Sequence, residues 1–100
     1  MIIRVTDTAI DPEDLESCQR AVRGQIQPAF EHLPGCHGIE LHVRVDERHG
    51  DLIEVAAVSR WDDVEAMETA VRSEGYAEAM GVLRPMFQQA PIVRIFEVVD

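Results

Sequence analysis

Three side chains in this 100-residue chain are the first candidates to move a proton or hold an anion: His42, Arg44 and Tyr76. His42 and Arg44 lie two apart in an alternating apolar–polar run, so on a strand both point to one face. There Arg44 would hold an anionic oxygen while His42 moves a proton near neutral pH. The alternative is a polar sheet face, with Arg44 satisfied by Glu54 and His42 lining a subunit interface. Tyr76 offers a hydroxyl to a substrate carbonyl, or a ring that packs with its OH on water. Trp61, the single tryptophan, sits where a strand pattern gives way to a helix start. It would either stack on an aromatic ligand or plug the strand–helix corner as core. Met67, Met80, Leu83 and Phe87, with Met86, would line an adaptable apolar pocket, or form ordinary core.

Other chemistry finds less support. His32, Cys36 and His37 are metal-ligand types, but their spacing is loose and no second cluster completes a site, so they read as solvated turn residues. His49 falls in a hairpin loop and is expected to be exposed. All nine cations are Arg, which removes Schiff-base chemistry and any lysine general base. There is no Asn. No Gly-rich phosphate loop, Ser–His–Asp set or pair of catalytic carboxylates stands out. No cofactor and no metal are expected.

Composition narrows the class further. A net charge of −10 lacks the basic footprint of nucleic-acid or anionic-membrane binding. At 46% hydrophobic there is enough apolar material for one compact domain over residues 1–100. Cys18 and Cys36 lack a CxxC spacing and read as reduced thiols, Cys18 in the core and Cys36 in a turn. The chain opens on Ile2-Ile3-Arg4-Val5 without a basic leader, and no run approaches the ~20 apolar residues of a membrane span. A cytoplasmic protein is expected.

The elements that must position these side chains follow from periodicity. Ile2 to Thr6 reads as a strand. Asp11 caps a helix with Pro12 at its first position and Asp14 at the capping-box site. Leu15, Cys18, Val22, Ile26 and Phe30 form its apolar stripe, with Gly24 weakening it and Pro28 bending or ending it. Leu33-Pro34-Gly35 stops it. Ile39, Leu41, Val43 and Val45 then alternate against Glu40, His42, Arg44 and Asp46. Pairing Val45 with Ile53, Val43 with Val55 and Leu41 with Ala57 keeps every apolar residue on one face and sets Arg44 opposite Glu54.

Asp62 and Glu65 form a capping box for the next helix, with Val64, Met67 and Val71 buried. Ser73-Glu74-Gly75 interrupts that helix, and Tyr76, Ala79, Met80, Leu83 and Phe87 resume the pattern. Pro85 and Pro91 bracket its end, and Ile92 to Val99 is a strand apolar on both faces. The order βαββαβ predicts an α+β, ferredoxin-like fold with a four-stranded antiparallel sheet. Helices cover one face of such a sheet. The other carries Ala56, Val58, Phe96 and Val98, so packing against a second copy is the simplest cover.

At this point the chain resembles a known group. Leu33-Pro34-Gly35 before the second strand, Arg60-Trp61-Asp62-Asp63 with Glu65 after the third, Tyr76, and Pro91 before the last strand are similar to the antibiotic biosynthesis monooxygenase-like domain. The resemblance covers nearly the whole chain. It implies a homodimer forming a dimeric α+β barrel, with a pocket in each subunit between sheet and helices. Some members oxygenate polyphenolic ketides without metal or flavin, the substrate's carbanion reacting with O₂. Their pockets often use an Asn with a Trp; here Asp7 or a Gln would have to substitute. Haem-degrading members use an Asn, a helix Trp and a helix His, and alignment on Trp61 places Ala70 and Met80 at the last two. Haem degradation is therefore not expected.

The resemblance implies a cofactor-independent monooxygenase for a small aromatic or quinone-like metabolite. Trp61, Met67, Met80, Leu83 and Phe87 would shape the pocket, and His42, Arg44 and Tyr76 would be its polar groups. The competing expectations are a non-catalytic small-molecule-binding or stress-associated protein on the same scaffold, and an isomerase or lyase using His42 or a carboxylate as base.

Overall fold

Strand β1 runs Ile2–Ile10, twice the length its apolar opening suggested, because it is the central strand of the sheet. Asp7 and Thr8 break the apolar pattern, yet Asp7 pairs with a strand on each side, which outweighs its poor strand propensity. Thr8 pairs with Val55 of the next strand while its hydroxyl donates to the Gln89 carbonyl. The computed structural model describes residues 1–47 and 50–100; His49 lies outside the described residues.

After β1, the Asp11 carboxylate accepts from the Glu13 backbone N–H at 3.0 Å and opens a 3₁₀ turn over Pro12–Asp14. Asp14 makes no capping bond, so the expected capping box is absent. Helix α1 spans Leu15–Ala21 and α2 spans Gln27–Glu31, joined without a break by a π-helical turn over Val22–Ile26. Pro28 therefore does not end the helix. A proline clashes with the carbonyl four residues back, here that of Gly24. The wide turn relieves this by letting the Gln27 N–H bond to the Val22 carbonyl instead. Cys18, Val22, Ile26 and Phe30 from the expected stripe are all buried. Gln27 Nε2 donates to the Ile39 carbonyl at 3.0 Å, tying this helix to the next strand.

Strands β2 (Cys36–Val43) and β3 (Ile53–Trp61) pair in the expected register, Leu41 with Ala57 and Val43 with Val55. Cys36 is thus the first strand residue rather than a turn residue. Arg44 meets Glu54 at 3.0 Å as its register position requires. Val45 does not pair with Ile53: the strand has ended and the side chain is 95% exposed.

Helix α3 covers Val64–Val71 and α4 covers Glu74–Gly81. The cap of α3 is Asp63, which accepts from Ala66 N–H at 2.8 Å, not Asp62. Met67 and Ala70 of this helix are buried, while Val64, expected in the buried stripe, is exposed. Ser73 caps α4 by accepting from Tyr76 N–H at 3.2 Å and donates to the Ala70 carbonyl at 2.6 Å, which hinges the two helices. Strand β4 covers Ile92–Glu97.

The sheet order β2-β3-β1-β4, all antiparallel, is the ferredoxin-like arrangement. Ile2, Thr6 and Ile10 of β1 pair with Trp61, Ala57 and Ile53 of β3 on the face that the helices cover. The other face carries Val5, Val58, Ile92, Phe96 and Val98 among charged residues.

The turn motif and the tryptophan motif lock together. Gly35 has φ +77 and its carbonyl accepts from Asp62 N–H at 2.8 Å. A Cβ on Gly35 would stand 2.6 Å from the Ala66 Cβ, so α3 approaches the turn as closely as a bare backbone permits. The His37 ring contacts the Asp62 carboxylate across the same junction.

Candidate functional site

An aromatic cluster links the core to the site. Trp61 is fully buried and donates its indole N–H to Ser59 Oγ at 2.9 Å. Its ring lies 6.1 Å from that of Phe30, which in turn lies 5.4 Å from that of Tyr76. Tyr76 is the third residue after Ser73, in the first turn of α4, so the Ser73 cap sets where its ring points.

Beyond Tyr76 the helix layer stops short of β4. Val93 and Ile95, on the helix-facing side of that strand, stay 43% and 42% exposed. The gap between α4, β1 and β4 is a cavity of about 490 Å³, within the usual range for small-molecule sites. Val71, Met80, Phe87, Pro91 and Val93 supply apolar walls, and Arg4, Thr6, Tyr76 and Arg84 supply the polar groups. No carboxylate lines it. Arg4 Nε–H donates to the Tyr76 hydroxyl oxygen at 3.1 Å, with the guanidinium carbon 5.9 Å from the ring centroid. Because that oxygen is accepting, the Tyr76 O–H is left as a donor toward a ligand. Phe87 is held by a bridge to Ile10, and Gln88 N–H donates to the Ala9 carbonyl at 2.8 Å, which anchors the segment closing this end.

Of the residues marked in the sequence, the structure brings Tyr76, Met80 and Phe87 together on this cavity. Trp61, Met67 and Leu83 are buried in the core behind it and do not line it. His42 and Arg44 are on the opposite face of the sheet. His42 is 3.1 Å from the Glu40 carboxylate. Arg44 contacts Asp46, Glu47 and Glu54 at 2.7, 3.1 and 3.0 Å, and these carboxylates push its pKa up. Glu40 is held below the usual carboxylate range by the Arg60 guanidinium first and by His42 second. These are satisfied surface pairs of small energetic weight.

Asp7, weighed as a substitute for the missing Asn, also lies on that open face, opposite Ala56. Partial burial first, and the adjoining Glu54 carboxyl second, raise its pKa. Burial likewise raises the Cys18 and Cys36 thiols, and Cys36 Sγ accepts from Gly38 N–H at 3.3 Å. Among the described residues no group of three or more His, Cys, Asp or Glu is placed to hold a metal.

The residues that sequence reasoning missed are Arg4 and Thr6. Their signal was faint: a cation and a hydroxyl at alternate positions after Ile2, on the side of β1 that proves to face the helices.

Residues 1–82 match the family described as antibiotic biosynthesis monooxygenase. The chain belongs to that family. Solved structures agree with the fold. A candidate antibiotic biosynthesis monooxygenase of Bordetella bronchiseptica has 23% identity over 98% of this chain and 96% of its own, at a TM-score of 0.78. A candidate of the same name from Deinococcus radiodurans has 16% identity over 100% and 94%, at 0.75. An anthrone oxidase-like protein has 20% identity and a TM-score of 0.80, covering 99% of this chain but 44% of its own. A search of curated proteins finds no match. Membership of the antibiotic biosynthesis monooxygenase family thus rests on the sequence match, and the solved structures support the fold. No helix among the described residues is long and apolar enough to cross a membrane.

Proposed function

We propose that this chain is a cofactor-independent monooxygenase for a small aromatic or quinone-like metabolite bound between β1, β4 and α4. The observation that carries the reading is the cavity itself: about 490 Å³, apolar-walled, with the Tyr76 hydroxyl oriented by Arg4. Family membership supports it. In this reaction the ionised substrate supplies electrons to O₂, and a ring CH₂ becomes a C=O with one oxygen atom leaving as water. The protein's part is to hold the enolate oxygen with preorganised donors and to exclude water from it. Tyr76 is the donor in this reading, while Met80 and Phe87 pack the ring.

An oxygen-electrode assay with anthrone-type and quinol substrates tests it. One O₂ is consumed per product, and Tyr76→Phe lowers the rate by about 10²-fold. No uptake by the wild type across such a panel overturns the oxygenase reading and leaves a binding protein on the same scaffold.

The reading includes a homodimer. Ile92, Phe96 and Val98 are 53%, 51% and 43% exposed on the open sheet face, where a second copy would pack sheet to sheet. Sedimentation velocity should give a mass near twice 11.2 kDa, falling to that of one chain in Phe96→Glu. A wild-type monomer at micromolar concentration would rule this out.

A further inference from the structure

We propose that the cavity selects anionic ligands, with the Arg4 guanidinium holding the ionised oxygen alongside the Tyr76 hydroxyl, and Tyr76 also positioning Arg4 through their hydrogen bond. The proposal rests on the cavity being the ligand site, as argued above, and specifies the ligand class.

The charge distribution is the first support. The chain carries a net charge of −10, yet this cavity is lined by two guanidiniums and no carboxylate. Four arginines elsewhere are matched: Arg20 with Glu16, Arg60 with Glu40, Arg72 with Glu68, and Arg44 with three acids; Arg23 and Arg94, which do not line this cavity, make no ion pair among the described residues. Among the described residues, neither Arg4 nor Arg84 has an ion-pair partner. A cation set against apolar walls without a counter-charge is a poor arrangement for stability and a good one for capturing an anion from water.

Geometry is the second support. Arg4 sits on the central strand, half-buried, and uses Nε–H on the Tyr76 hydroxyl. That leaves both terminal nitrogens of the fork without a protein acceptor among the described residues, which suits a carboxylate or phenolate oxygen. Tyr76 in turn is fixed by the Phe30 ring and the Ser73 cap, so the fork is aimed by a rigid support. Arg84 follows Tyr76 and Met80 at four-residue steps and is exposed, which places it as a second cation at the rim. An elongated aromatic with one acidic oxygen inside and a second toward Arg84 would use both.

Equilibrium dialysis of 2-naphthoate against 2-naphthamide at neutral pH tests this, since the two probes share a ring and differ in charge. The wild type should prefer naphthoate by about tenfold, a preference that shrinks with added salt. Arg4→Gln should bring the two probes within about twofold, whereas Arg4→Lys retains part of the preference because the charge remains and the planar fork does not. Tyr76→Phe should weaken naphthoate binding several-fold more than naphthamide binding, a split that a merely structural role would not produce. Circular dichroism confirms that each variant is folded. Equal binding of both probes by the wild type overturns the charge selection alone, as does an undiminished preference in folded Arg4→Gln. Binding of neither probe overturns the site as well. Absence of O₂ uptake bears on the oxygenase reading and leaves this one standing.

Discussion

Trp61→Ala is expected to destabilise the fold by about 3–5 kcal/mol, the usual range for deleting a buried large aromatic. For a domain of this size that is a fall in melting midpoint of roughly 12–40 °C. The indole is fully buried, packs on Phe30 and donates to Ser59 Oγ at 2.9 Å, so alanine leaves both a void and a changed polar partner. Trp61→Phe should cost less, and it should leave ligand binding intact, because Trp61 does not line the cavity. Thermal melts together with naphthoate dialysis decide this. A loss under about 1 kcal/mol in Trp61→Ala, or loss of binding in a folded Trp61→Phe, would move this residue from the core to the site.

The second large effect is at the turn. Gly35→Ala should destabilise by about 2–5 kcal/mol, combining a left-handed backbone penalty of ~1–2 with overpacking of ~1–3. Both causes are visible: φ is +77, and the new Cβ would lie 2.6 Å from the Ala66 Cβ. Because the neighbour is another Cβ close to its own backbone, it cannot swing aside as a long side chain would. In an Ala66→Gly background the same substitution should be milder, since only the backbone penalty remains. Denaturant unfolding of the four proteins gives the coupling directly, and equal losses in both backgrounds would sink the steric explanation. Leu33-Pro34-Gly35 and Arg60-Trp61-Asp62-Asp63 meet at one junction, where the Gly35 carbonyl accepts from the Asp62 N–H.

The corrections share one physical origin. Asp62 and Asp63 are equally good caps on paper, and the choice between them fell to tertiary contacts: Asp62 is drawn to His37 and the Gly35 carbonyl, leaving Asp63 for the helix. Pro28 was expected to bend or end the helix, and it distorts the helix without ending it. The core keeps Phe30 buried by widening one turn. β1 outran its apolar run because a central strand gains ladder bonds on both edges.

Local patterns by themselves determined a good deal of this protein. Period-two and period-four alternation yielded the βαββαβ order, the hairpin register and most of the first helix's buried stripe, since each depends on neighbours close in sequence. The site was decided only in three dimensions. His42 and Arg44 are real neighbours on one strand face, but which face the helices cover is set by the packing of the whole sheet, and it is the other one. Arg4 and Tyr76 are 72 residues apart, and nothing local relates them. They meet because β1 is central, α4 crosses above it, and the Phe30–Trp61 cluster presses the Tyr76 ring toward the strand. Hydrophobic periodicity specifies which way each element faces; only their joint packing specifies which polar groups are left facing one another.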